Sequence, residues 1–127
     1  MDGKIKGPGA LETTNVGTFG VAKTTLLDKR FTMAYAAGIS DDNEAYFHDD
    51  RAGSPQVHPC IAFSLQWAAR FRPDQSQDPR VASFGVHAST DLVVHRPFKS
   101  GEAITTQGQL LQMRQISPGV YNVDLYR

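Results

Sequence analysis

The chain has 127 residues, and its 13 Lys+Arg balance 13 Asp+Glu to a formal net charge of zero. That length fits one domain able to bury a real core, and the charge pattern, with no Lys/Arg cluster, excludes a nucleic-acid footprint. A single cysteine excludes an internal disulfide framework and a cysteine-rich zinc site.

Residues 1–15 are rich in Gly, Lys and Thr and lack periodicity, which predicts an irregular leader. Residues 16–127 then read as one domain. Thr and Val favour a first strand over Phe19–Leu26, weakened by Gly20. Asp28 opens a short helical turn through Phe31–Ala37, with Gly38 as its C-cap. A polar segment from Ile39 to Asp50 carries apolar anchors at Tyr46 and Phe47. Turn formers from Arg51 to Gln56 deliver the chain to a central helix.

That helix, His58–Phe71, is interrupted only by Ser64, Gln66 and Arg70 among its later residues. A helix apolar nearly all round belongs in an interior, and this one is too short to span a bilayer, which needs about 20 apolar residues. Pro59 suits its first turn, and Pro73 punctuates its far end. Arg72–Arg80 is polar, holds two prolines and predicts a surface loop.

Three strands follow. Val81–His95 is a long extended run, Ile104–Ile116 is the second with a bulge expected at Gly108, and Val120–Tyr126 is the third. In the last, Tyr121, Val123 and Leu125 alternate with Asn122 and Asp124, the mark of a half-buried strand. The ending at Arg127, in mid-alternation, reads as a domain cut short, with a further strand expected beyond it. No stretch has the pattern of a secretory leader or membrane span, so cytoplasm is the expected location. The fold class is α+β, with one buried helix held in a curled antiparallel sheet.

Three stretches in order carry a family resemblance: Tyr35-Ala-Ala-Gly-Ile-Ser-Asp-Asp-Asn43, the apolar helix, and His87-Ala-Ser-Thr-Asp-Leu-Val-Val-His-Arg-Pro97 followed by Ser100-Gly-Glu102. Together they resemble the MaoC-like hot-dog hydratases, which include the R-specific enoyl-CoA hydratases and 3-hydroxyacyl-thioester dehydratases. The resemblance implies a hot-dog fold, a long central helix wrapped by a curved antiparallel sheet. It also implies a homodimer, or pairing with a second hot-dog domain or subunit, and an acyl-CoA or acyl-carrier-protein thioester as ligand. No cofactor or metal is implied.

Active members of that family hydrate an unsaturated thioester with an Asp and a His, in a pattern like Gly-Asp-x-Asn-Pro-Leu-His. One group takes a proton from water while another protonates the α-carbon, so both must face one small volume. The thioester oxygen needs an N–H donor, supplied where a helix begins.

By the same resemblance Asp41 falls on the acid/base aspartate and Asn43 on the motif asparagine. Glu44 replaces the proline, Tyr46 occupies the histidine position, and Pro59 stands near the oxyanion glycine. Asp41 and Tyr46 are therefore the candidate catalytic residues; Asn43, His58, Cys60, Ile61 and Phe63 are the candidate substrate-binding ones. Proline has no N–H to donate, which leaves the Cys60 amide as a substitute.

The missing histidine and glycine resemble the non-catalytic half of double-hot-dog and heterodimeric members, whose partner supplies the Asp/His pair. One alternative is an active hydro-lyase through Asp41 with Tyr46 or His48; another is an acyl-thioester-binding module without turnover.

The residues themselves permit plainer readings. Asp41, Asp42 and Asn43 suit turn and cap positions, and Tyr46 and Phe47 suit core anchors. His48 shares a face with Asp41 if the segment is helical. His58 either lines a pocket or makes a loop hydrogen bond, and the sequence leaves both open. His87 and His95 lie roughly 25 Å apart at strand rise, too far to chelate one metal. Cys60 suits a small buried packing position. A thioesterase would want a carboxylate on the central helix, and His58–Phe71 has none.

Overall fold

The Asp28 carboxylate accepts the Phe31 N–H at 2.7 Å and so starts the first helix of the computed structural model, which describes residues 16–52, 55–69, 86–116 and 119–127. The described elements run β1 (Lys23–Leu26), α1 (Lys29–Gly38), a 3₁₀ turn (Glu44–Tyr46), α2 (Ile61–Ala68), β2 (Ala103–Thr106), β3 (Gly108–Ile116) and β4 (Gly119–Tyr126). The molecule is thus α+β, with two helices and two antiparallel two-stranded sheets among the described residues. By contacts it divides into two units.

One unit is drawn from residues 23–68 and 92–106. Its core is Leu27, Val57, Ile61 and Leu65, with Phe31, Tyr35, Phe98 and Ile104 packed against it. Leu27 and Ile61 have no exposed surface, and burying each contributes roughly 1.5–3 kcal/mol relative to exposure. β1 and β2 pair from Lys23↔Thr106 to Leu26↔Ala103, and the Thr24 and Thr105 hydroxyls meet across them at 2.8 Å.

The turn before β2 is closed by Glu102. Its carboxylate accepts the Lys99 N–H at 2.8 Å and two hydrogen bonds from the Arg96 guanidinium, at 3.1 and 2.9 Å. Gly101, at φ +89°, occupies the left-handed region there and donates its N–H to Leu27 O at 2.6 Å.

The described residues of the other unit are 16–22, 69, 86–91, 107–116 and 119–127. In it β3 and β4 form a hairpin, paired from Gly108↔Tyr126 to Ile116↔Gly119. The strip at Gly17–Gly20 lies along β3: Gly17 N–H donates to Leu110 O and Gly20 N–H to Gly108 O, at 2.7 and 2.8 Å. Leu110 is fully buried, and the Arg127 guanidinium sits over the Phe19 ring, 5.0 Å from its centroid.

Several expectations are corrected. The first strand covers only Lys23–Leu26, and Phe19 forms an isolated bridge with Gln109 instead. Gly38 is the last residue of α1 rather than its cap; Ser40, at φ +58°, takes the left-handed position. The bulge lies at Leu111, where the register shifts between Leu110 and Gln112, not at Gly108.

The run expected as one strand over Ile104–Ile116 is split at Gln107 into two strands of different sheets. Residues 86–95, the described part of the expected Val81–His95 strand, form no strand. An extended segment becomes a strand only by pairing its backbone, and 86–95 pairs with no described neighbour.

The central helix has eight described residues and buries one face, through Ile61 and Leu65 at i and i+4. Trp67, two residues on from Leu65, is 60% exposed. The leader at 1–15, the loop at 72–80, residues 70–71 at the end of the expected helix, and Ser117–Pro118 of the expected hairpin turn lie outside the described residues.

Candidate functional site

Side chains from α1, the turn after it, the 3₁₀ turn and the start of α2 meet at one place. The turn after α1 is ordered by local bonds that Asp and Asn favour. Asp41 Oδ1 accepts the Asn43 N–H at 3.1 Å, and Asn43 Oδ1 accepts the Ala45 N–H at 3.0 Å, which caps the 3₁₀ turn. The Gln56 N–H donates to Ala45 O at 2.9 Å and ties this turn to the strand-like entry into α2.

The second oxygen of Asp41 faces His58. Asp41 Oδ2 and His58 Nε2 lie 3.3 Å apart, with the carboxylate 34% and the imidazole 16% exposed. On the other side of the ring, His58 Nδ1 accepts the Cys60 N–H at 3.1 Å. Nδ1 is therefore an acceptor, and the neutral ring carries its proton on Nε2, the nitrogen on the Asp41 side. Tyr46 and Tyr35 flank the imidazole, their ring centroids 5.2 and 6.1 Å from it in tilted arrangements.

Tyr35 also donates its hydroxyl to Cys60 O at 2.6 Å. Burial, and after it the neighbouring Cys60 thiol, hold the Tyr35 phenol above its ordinary range, so it stays a neutral donor.

The first turn of α2 has no amide left over. Besides Cys60, Ile61 N–H donates to His58 O, Ala62 N–H to Pro59 O and Phe63 N–H to Cys60 O, at 3.0, 3.3 and 3.0 Å. These are the donors that a helix start leaves for an anion or a developing oxyanion, and each already has an acceptor. Cys60, expected as a stand-in oxyanion donor, gives its N–H to His58 instead.

Asp41, Tyr46, His58 and Cys60 are thus brought together. Asn43 is exposed and shapes the turn, and Ile61 is fully buried in the core. Phe63 is half-buried. The alternative pairing of Asp41 with His48 through a shared helical face is corrected: the 3₁₀ turn ends at Tyr46, and His48 lies 3.5 Å from Glu44 and 3.9 Å from Asp50.

The contact that sequence reasoning missed is Asp41–His58. Its only local trace is a histidine just ahead of a helix start, a position from which a ring nitrogen can accept the second amide along.

An apolar hollow of ≈ 200 Å³ is lined by Leu92, Val93, Val94, His95, Arg96 and Phe98. None of the predicted site residues lines it. Among the described residues no group of three or more His, Cys, Asp and Glu is placed to hold a metal ion, and no helix is long and apolar enough to cross a membrane. No family model matches the chain, and a search of the curated proteins found no match either.

Proposed function

We propose that this chain is a hot-dog subunit or half-domain of an enoyl-thioester hydratase or 3-hydroxyacyl-thioester dehydratase. It binds an acyl-CoA or acyl-carrier-protein thioester without catalysing its turnover, in the cytoplasm. A second hot-dog domain, or a second copy, supplies the working Asp/His pair. The observation that carries the silent role is the start of α2, where every first-turn amide already has an acceptor. A thioester oxygen gaining charge would find no donor there. In the neutral ring, moreover, the His58 Nδ1 lone pair is occupied by the Cys60 N–H and is not offered to a water.

A second reading, an active hydro-lyase, draws on the 3.3 Å approach of His58 to Asp41. There Asp41, about one-third exposed, would take the proton from water, with His58 orienting it.

Calorimetric titration of the chain with a non-reactive acyl-CoA analogue tests the binding role shared by both readings. Saturable heat and a raised melting temperature are expected; no heat and no thermal shift would count against every acyl-thioester reading.

A further inference from the structure

The two nitrogens of His58 face partners that respond oppositely to a second proton. Nε2 lies 3.3 Å from the Asp41 carboxylate, which gains attraction when the ring becomes a cation. Nδ1 accepts the Cys60 N–H, and a proton on Nδ1 would set donor against donor across 3.1 Å. Both contacts hold in the neutral ring; in the charged ring only the one to Asp41 survives.

We infer that His58 is a proton-operated latch between the 41–47 turn and the start of α2. Neutral, it joins the two and covers the Cys60 amide. On taking a proton at Nδ1 it keeps Asp41, gives up Cys60, and exposes that amide as a free donor at the helix start.

Among the described residues, the titratable side chains facing the ring are Asp41 from the turn after α1, Tyr46 from the 3₁₀ turn and Tyr35 from α1, and Cys60 at the start of α2 meets it through its backbone N–H. A ring rotation does not rescue the lost bond, because it moves Nε2 away from Asp41. Tyr35, bonded to the Cys60 carbonyl, holds the peptide that carries the following amide in place. The latch does not depend on the hydratase reading.

The test is amide hydrogen exchange at Cys60 in the full chain, with imidazole ¹⁵N shifts read on the same sample and the Leu65 amide as internal reference. At about pH 8 the ring should show the Nε2–H tautomer. On acidification to about pH 5, the protection factor of Cys60 should fall by about fivefold relative to Leu65, as expected for losing one hydrogen bond. In His58→Asn, whose side-chain oxygen can accept the same amide and takes no proton, the protection should stay constant.

An Nδ1–H tautomer at the higher pH overturns the latch. So does Cys60 protection that never changes in the wild-type chain, or that falls equally in the variant. If the variant does not fold, the tautomer and the Cys60-specific loss in the wild-type chain decide the matter alone.

Discussion

The Tyr35 hydroxyl donates to the Cys60 carbonyl at 2.6 Å, fastening α1 to the start of α2. The same peptide unit presents its carbonyl to Phe63 N–H at 3.0 Å. Tyr35→Phe therefore removes one of two donors and should destabilise by about 1 kcal/mol, read as a drop of roughly 3–5 °C in melting temperature. The phenol also sets an alkaline limit. Because the folded state holds its proton more tightly than the unfolded chain, stability should fall as pH rises above about 10, and that fall should be smaller in the Phe variant.

Glu102 sets an acid limit. Hydrogen bonds from Arg96, and then from the Lys99 N–H, hold its carboxyl below the ordinary range. The unfolded chain binds the proton more readily, so the contribution is present above about pH 4.5 and is lost as pH falls through the folded-state value. Glu102→Gln should lower the melting temperature at neutral pH, and the gap to wild type should close on acidification. A gap that persists unchanged at acid pH would show that the turn is held by something other than this carboxylate.

Ile61 joins the helix start to the core and has no exposed surface. Ile61→Ala should cost about 2–5 kcal/mol through lost burial and the cavity left behind, measured by urea unfolding. A cost within about 0.5 kcal/mol would mean that α2 is not seated as described.

The N-cap of α1 is separable from all of this. Asp28→Ala leaves the Phe31 N–H without its 2.7 Å acceptor and should cost about 1 kcal/mol, whereas Asp28→Asn should cost little. Equal losses in the two variants would argue that the carboxylate charge, rather than the cap, is what matters.

Local chemistry was legible in the sequence. Asp28 announced a helix because capping needs only residues three apart, and Pro59 marked the entry to α2 for a similar reason. Alternation of Val123 and Leu125 with Asn122 and Asp124 announced β4, whose partner is a hairpin neighbour. What the sequence hid depends on tertiary context. A strand-like run at 86–95 has the composition of a strand but becomes one only with a partner. The split at Gln107 separates two sheets inside an unbroken β-prone stretch. Ser40 takes a backbone conformation more natural to the nearby Gly38, because the last turn of α1 closes two residues later.

The site was half legible. Asp41 and Tyr46 were singled out by the family resemblance, Tyr46 at the position where a histidine was expected, and the Asp/Asn neighbourhood marked only a turn. Its true neighbour, His58, arrives from beyond a connector, and no spacing rule links it to Asp41. Reading Pro59 as lacking a donor was sound chemistry. That Cys60, Ile61, Ala62 and Phe63 are engaged as well depends on how the chain folds back at His58 and the helix start.

The central claim is that this chain holds an acyl thioester without hydrating it, and the most direct measurement is crotonyl-CoA hydration by the purified chain alone, followed as loss of the enoyl-thioester absorbance. The account predicts no rate above the uncatalysed reaction, and no change on Asp41→Asn. Turnover in the ordinary enzymatic range, about 1–10³ s⁻¹, abolished by Asp41→Asn, would contradict it.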